Sequence, residues 1–175
     1  MFDFISNTVQ KIFGTKYERD VKAYSPIVEE INDIYEQLHE VSNDELRNKT
    51  LEFRRRIAEY LEEIDEEMAQ LRREAEEVED LHRKEEIFRE LDELQEERDQ
   101  HLEEVLKEIL PEAFAVVKET ARRFKDNDTL SVTATQHDRD LAADPKKNYV
   151  KIQGEQAVWQ NQWMAAGGEI TWDMI

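Results

Sequence analysis

From Ser42 to Leu110 the chain runs for sixty-nine residues without a glycine or a proline. Glu, Arg and Leu dominate the stretch, all of them good helix formers, so it folds as long helix or not at all. Ser42-Asn-Asp-Glu45 opens it with the spacing of a capping box, in which the serine hydroxyl and the glutamate carboxylate satisfy each other's backbone N–H groups. Leu110-Pro111 is expected to interrupt it, because the residue before a proline avoids the α region. Inside, Ile57, Leu61, Ile64, Met68, Leu71, Ala75 and Val78 are spaced 4-3-4-3-4-3, a heptad seam. A second run reads Ile87, Leu91, Leu94, Arg98, His101, Val105 and Ile109.

The two runs do not share a phase, since Val78 and Ile87 are nine residues apart. Folding the chain back near His82-Arg83 removes the conflict. It pairs Val78 with Ile87, Ala75 with Leu91, Leu71 with Leu94, Met68 with Arg98, Ile64 with His101 and Leu61 with Val105, the constant register of an antiparallel hairpin. At 1.5 Å per residue the arms reach about 30–35 Å beyond Leu61. The alternative is a single long helix pairing with another chain, which makes a homo-oligomer.

Only 39% of the 175 residues are hydrophobic and 38% are charged, too few apolar groups for a large globular core. Cysteine is absent, which fits a reducing compartment or indifference to redox state. The net charge of −19 is uneven, residues 58–108 holding 22 acids against 7 bases. That balance argues against nucleic acid as a partner of the rod. Its charged face reads as a solvated one supported by i,i+4 Glu-to-Arg pairs, or as a reach towards a channel, chaperone or preprotein. No run reaches the roughly 18 apolar residues of a membrane span, and residues 1–15 lack the pattern of a signal peptide.

Phe2, Ile5, Val9, Ile12 and Phe13 follow helical spacing, with Gly14 as a stop signal. Lys11, Lys16, Arg19 and Lys22 make this end slightly basic in an acidic chain. Two readings stand: an amphipathic helix contacting a membrane or a membrane partner through Phe2, Ile5, Val9, Lys11, Ile12, Phe13 and Lys16, or a helix packed on its own domain. Lys22 to Val41 reads as a second helix with Ser25-Pro26 at its start and Ile27, Ile31, Ile34, Leu38 and Val41 on one face. After the rod, Pro111 suits the first turn of a new helix whose apolar stripe is Phe114, Val117 and Ala121.

The tail changes character. Thr129–Thr135 alternates with period two, a strand signal. Gln136–Asn148 is polar with Pro145 and reads as loop. Tyr149–Gln153, Ala157–Trp163 and Glu169–Met174 read as three more strands, the last two turning at Gly167-Gly168. Trp159 and Trp163 would share a face, as would Ile170, Trp172 and Met174. This is either an aromatic docking surface or a small sheet packed on the helices. The fold class predicted is therefore mainly α: a long antiparallel two-helix (coiled-coil) hairpin, flanking short helices and a small β region at the C-terminal end.

Three motifs in order carry a family resemblance. The first is the amphipathic start ending in Ile12-Phe13-Gly14. The second is Val41-Ser42-Asn-Asp-Glu45-Leu46-Arg-Asn-Lys49-Thr50-Leu-Glu-Phe53-Arg54. The third is Leu110-Pro-Glu-Ala-Phe-Ala-Val-Val117. Together they resemble the N-terminal region of SecA, the motor ATPase of bacterial protein export, over residues 1–60 and 106–124. The resemblance implies an amphipathic N-terminal helix at 1–22 and the start of a nucleotide-binding motor domain at 23–60 and 105–124. Against the common form of the family, 61–104 is an inserted hairpin, and 125–175 is a β-rich insertion leading, from Ala165, into the run-up to the nucleotide site.

The same resemblance implies ATP with magnesium as cofactors of the parent protein. Its partners would be the SecYEG channel, preproteins and anionic lipid, with no nucleic acid. Its place would be the cytoplasm, peripherally on the inner face of the cell membrane.

The chain itself offers no catalytic, cofactor or metal residue to this reading. A phosphate-binding loop needs the pattern G-x-x-x-x-G-K-[ST], and none of the glycines at 14, 154, 167 and 168 begins one. The ATP-handling residues are expected beyond Ile175. Glu79-x-x-His82 has the spacing of a bridged-metal motif but lacks the second copy and further glutamates that such a site needs. His39 and His137 have no partners at ligand spacing. A reading of another class is a free-standing acidic coiled-coil adaptor with a membrane-surface N-terminal helix and no catalysis.

Overall fold

The computed structural model describes residues 16–165 and 167–172. Three long helices carry most of them: α1 (Lys16–Leu38), α2 (Asn43–Glu77) and α3 (Leu81–Asp126). They are followed by β1 (Thr129–Thr133), α4 (Gln136–Ala143), β2 (Val150–Gln153), β3 (Gln156–Gln160), β4 (Gln162–Ala165) and β5 (Gly168–Thr171). The chain is mainly α, with a long antiparallel helical hairpin and a small β region at its C-terminal end.

The capping box at Ser42 forms as its spacing requires. The Glu45 N–H donates to the Ser42 hydroxyl at 3.2 Å, and the Ser42 N–H donates to the Glu45 carboxylate at 2.7 Å. α2 and α3, of 35 and 46 residues, make the rod. Leu61, Ile64, Met68, Ala75, Ile87, Val105 and Ile109 are buried along its seam. Asp65 pairs with Arg98 and Tyr60 donates to Glu104, within about three residues of the predicted register.

The turn itself falls at Val78–Asp80, not at His82-Arg83. Asp80 sets it: its carboxylate accepts from the His82 N–H at 2.8 Å and starts α3 there. Arg83 is consequently inside the helix and reaches back to Glu74 at 2.9 Å.

Leu110-Pro111 does not interrupt the rod's second arm. α3 runs through Pro111 without a break. An internal proline forfeits a backbone bond and costs about 3 kcal/mol, which the burial of Ile109, Pro111, Ala115 and Val116 offsets. The apolar stripe expected beyond it is also displaced. Phe114 and Val117 are 59% and 67% exposed, while Ala115, Val116, Glu119 and Arg123 face inward. The inward face carries an ion pair, which a search for apolar periodicity passes over.

α1 begins earlier than expected, so Pro26 sits inside it rather than at its start. Leu38, Leu46, Ala115 and Val116 form a core cluster where α1, α2 and α3 meet, with Ile31, Ile34, Tyr35, Val41 and Phe53 packed around it.

In the tail, β1, β3 and β2 form an antiparallel sheet in that order, Trp159 lying opposite both Leu130 and Val150. β4 and β5 form a separate hairpin turning at Gly167, whose φ of 82° requires a residue without a Cβ penalty. The segment expected as one strand over Ala157–Trp163 is thus two, in different sheets, divided at Asn161. Part of the expected loop is helix α4: Thr135 caps it, its hydroxyl accepting from the Asp138 N–H while the Asp138 carboxylate accepts from the Thr135 N–H. Among the described residues no helix is long and apolar enough to cross a membrane.

Candidate functional site

The long helices and the two sheets meet around a cavity of about 650 Å³ at the base of the rod. Leu46, Phe124, Tyr149, Trp159, Trp163 and Trp172 are among the residues that line it. The rings are fixed against one another. Phe124 stacks on Trp172 with centroids 5.3 Å apart, Trp172 meets Trp163 edge-on at 5.7 Å, and Tyr149 lies against Trp159 at 5.9 Å. The two-stranded hairpin therefore meets α3 through Phe124 and Trp172, while Trp159 and Trp163 reach the same cavity from different sheets.

Two guanidinium groups line this cavity, and both are committed elsewhere. Arg47 makes a two-pronged pair with Asp138, both contacts at 2.8 Å, and Asp138 is fully buried. Burial by itself raises the Asp138 pKa, but Arg47 and the Thr135 hydrogen bonds outweigh it and bring the carboxyl down to about 2. One turn earlier, the Asp44 carboxylate accepts from both the Thr133 N–H and its hydroxyl at 2.8 Å, and Asn43 donates to the Ser131 carbonyl. The first turns of α2 thus pin β1 and α4 by their side chains.

Arg123 is the second committed cation. It donates to the Leu38 and Val41 carbonyls at 2.9 and 2.7 Å, closing the C-terminal end of α1 together with the Val41 N–H, which donates to Leu38 at 3.3 Å. It also donates to Asn43 at 2.7 Å and to the buried Glu119 at 2.7 Å. Arg122 clasps the same carboxylate with two contacts of 2.9 and 2.8 Å. Desolvation pushes the Glu119 pKa up, and the two guanidinium groups more than reverse it, so the carboxyl stays below its ordinary range. His39 Nε2 lies 3.5 Å from Glu119. Lys49 and Arg56 both reach Glu112, at 2.9 and 2.8 Å, tying the lower rod together.

Chemically, this arrangement holds no nucleophile facing a free base. It offers an apolar, aromatic wall, with its charges spent on structure. Among the described residues no group of three His, Cys, Asp or Glu is placed to hold a metal ion. His82 pairs with Glu86 at 3.5 Å on the rod surface.

Of the residues expected to contact a membrane or channel, Phe2, Ile5, Val9, Lys11, Ile12 and Phe13 lie outside the described residues, as does Gly14. Lys16 is exposed at the first position of α1. Sequence reading missed Arg47, Glu119, Arg123 and Asp138. One signal was available, the Thr135-x-x-Asp138 capping-box spacing; the buried pairing of Arg123 with Glu119 has no counterpart in linear pattern.

The SecA DEAD-like domain matches residues 9–138. The chain belongs to the SecA family. It is 45% identical over 98% of its length to the protein translocase subunit SecA of Flavobacterium psychrophilum. It is 46% identical over 94% to that of Amoebophilus asiaticus, and 44% over 95% to that of Porphyromonas gingivalis. In each case the match covers 15% of the relative, so the chain spans about a seventh of the length of these proteins. No solved structure matches the chain.

Proposed function

We propose that this chain is the N-terminal part of an ATP-driven translocase that moves preproteins across the bacterial cytoplasmic membrane through the SecYEG channel. What carries the reading is identity above 40% along nearly the whole chain to proteins named translocase subunit SecA. In it, ATP and magnesium are handled by residues outside this chain, since no glycine here opens a phosphate cradle. The chain alone is non-catalytic. Residues 61–104 act as an inserted hairpin on the start of the motor domain at 23–60 and 105–124, and 125–175 as a β-rich insertion. Phe2, Ile5, Val9, Lys11, Ile12, Phe13 and Lys16 contact anionic lipid or the channel from the cytoplasmic side.

ATP turnover tests the central reading. The chain alone gives none above background, while the full-length polypeptide hydrolyses ATP with channel-bearing vesicles and a preprotein. Turnover by the chain alone, or silence from the full-length polypeptide, overturns it. The membrane contact is tested separately by sedimentation with vesicles containing anionic lipid. Reversing Lys11 and Lys16 to Glu weakens binding by about fivefold or more per position, from about 1 kcal/mol per basic residue.

A further inference from the structure

The cavity at the base of the rod is held open. Protein interiors pack as densely as organic crystals, so an opening of about 650 Å³ needs something to maintain it. Three contacts do so. Arg47 holds Asp138, Asp44 holds Thr133, and Phe124 stacks on Trp172, which together fix the β region against α2 and α3 around the space. Water suits it poorly. A buried water needs about two to four polar partners, whereas Leu46, Val116, Leu130 and Val132 line the cavity alongside the aromatic rings.

The lining also defines what fits. Trp159, Trp163 and Trp172 are all the tryptophans of the chain; each lines the cavity and none is fully buried. Indole rings favour other rings, stacked with an offset or met edge-on. Both guanidinium groups on the lining are already paired, Arg47 with Asp138 and Arg123 with Glu119. A charged ligand would give up its hydration here and find no free counter-charge. Neutral groups do remain. The Thr50 hydroxyl and the Gln160 and Gln162 carboxamides line the cavity and make no side-chain hydrogen bond among the described residues.

We infer that this cavity is a binding site for a flat, uncharged aromatic small molecule, packed against the tryptophans and hydrogen-bonded by Gln160 or Gln162. Its volume falls within the roughly 300–1,000 Å³ of small-molecule sites, and its pinned walls spare the ligand the cost of ordering them. The inference goes beyond the translocase reading and does not rest on it.

A matched pair of dyes tests it. N-phenyl-1-naphthylamine is uncharged, carries one N–H and fluoresces in apolar surroundings; 8-anilinonaphthalene-1-sulfonate is the same molecule with a sulfonate added. Titrated into the 175-residue chain, the amine binds at least about tenfold more tightly than the sulfonate. Thr50→Phe, which projects a ring into the cavity from α2, weakens the amine by about tenfold or more with helical circular dichroism unchanged. Equal or tighter binding of the sulfonate, or full affinity for the amine in Thr50→Phe, overturns the inference. Indole N–H signals in a nitrogen–proton NMR spectrum give a readout that needs no variant. The amine shifts the signals of Trp159, Trp163 and Trp172 together, and signals that stay in place overturn the inference equally. The full-length polypeptide binds the amine with the same Thr50→Phe sensitivity; loss of binding there means that later residues fill the cavity, and the inference fails.

Discussion

The rod and its base are built on opposite principles. Along the rod the buried residues are aliphatic, Leu61, Ile64, Met68, Ile87 and Val105 among them, and ionic contacts such as Arg83 with Glu74 stay near the surface. At the base, Glu119, Arg123 and Asp138 are buried, and the bonds of Arg123 and Asp138 reach residues eighty or ninety positions away. Apolar burial is non-directional and accumulates with length, so a seam is extended by repetition. A buried charge is tolerated only with its partners in place, so the base depends on a few irreplaceable groups.

Removing those groups tests the contrast most severely. Glu119→Ala strips both Arg122 and Arg123 of their shared carboxylate and is expected to cost about 4 kcal/mol, as uncompensated buried charges do. Urea unfolding followed by helical circular dichroism measures it, and a loss below about 1 kcal/mol would remove the distinction between the two regions. Met68→Ala, at the centre of the rod, costs about 3 kcal/mol through the cavity left behind. Hydrogen exchange should localise that loss to α2 and α3, with the β region unaffected.

Asp138→Asn costs about 2 kcal/mol, because Arg47 remains partly solvated. The effect is read by tryptophan fluorescence, since all three tryptophans lie in the β region. The same pair has a defined acid response. The folded pKa of Asp138 is about 2 against an ordinary 3.8. Its contribution is therefore fully present above about pH 4 and is lost as the pH falls towards 2. The tryptophan signal should change over that window in the parent chain, and the window should narrow in Asp138→Asn. The smallest effect belongs to Arg83→Ala. Its ring of Glu74, Glu86 and Glu90 is exposed, so the unfolding midpoint shifts little and only at low salt.

Legibility in the sequence follows the same division. The seam from Ile57 to Ile109 was readable because repetition fixes the face that turns inward. The earlier turn was missed because Asp80 is one among many acids there, and only its bond to the His82 N–H distinguishes it. Pro111 misled because a local penalty was outweighed by packing with residues far away in sequence. Phe114 and Val117 misled for the reverse reason: the inward face was already occupied by a carboxylate and a guanidinium that satisfy each other. Trp159, Trp163 and Trp172 stood out in the sequence as a docking or packing surface, but the cavity did not, since Trp159 and Trp163 reach it from separate sheets.

The stacking of Phe124 on Trp172 places the point where the polypeptide departs from α3 beside the residue that follows β5. The two ends of the β region are thus neighbours, with ring centroids 5.3 Å apart. Whatever changes the path between these two ends must still keep the Arg47–Asp138 and Asp44–Thr133 contacts that pin it to α2. Phe124 and Trp172 are accordingly the two residues through which the last turn of α3 feels the far end of the β region.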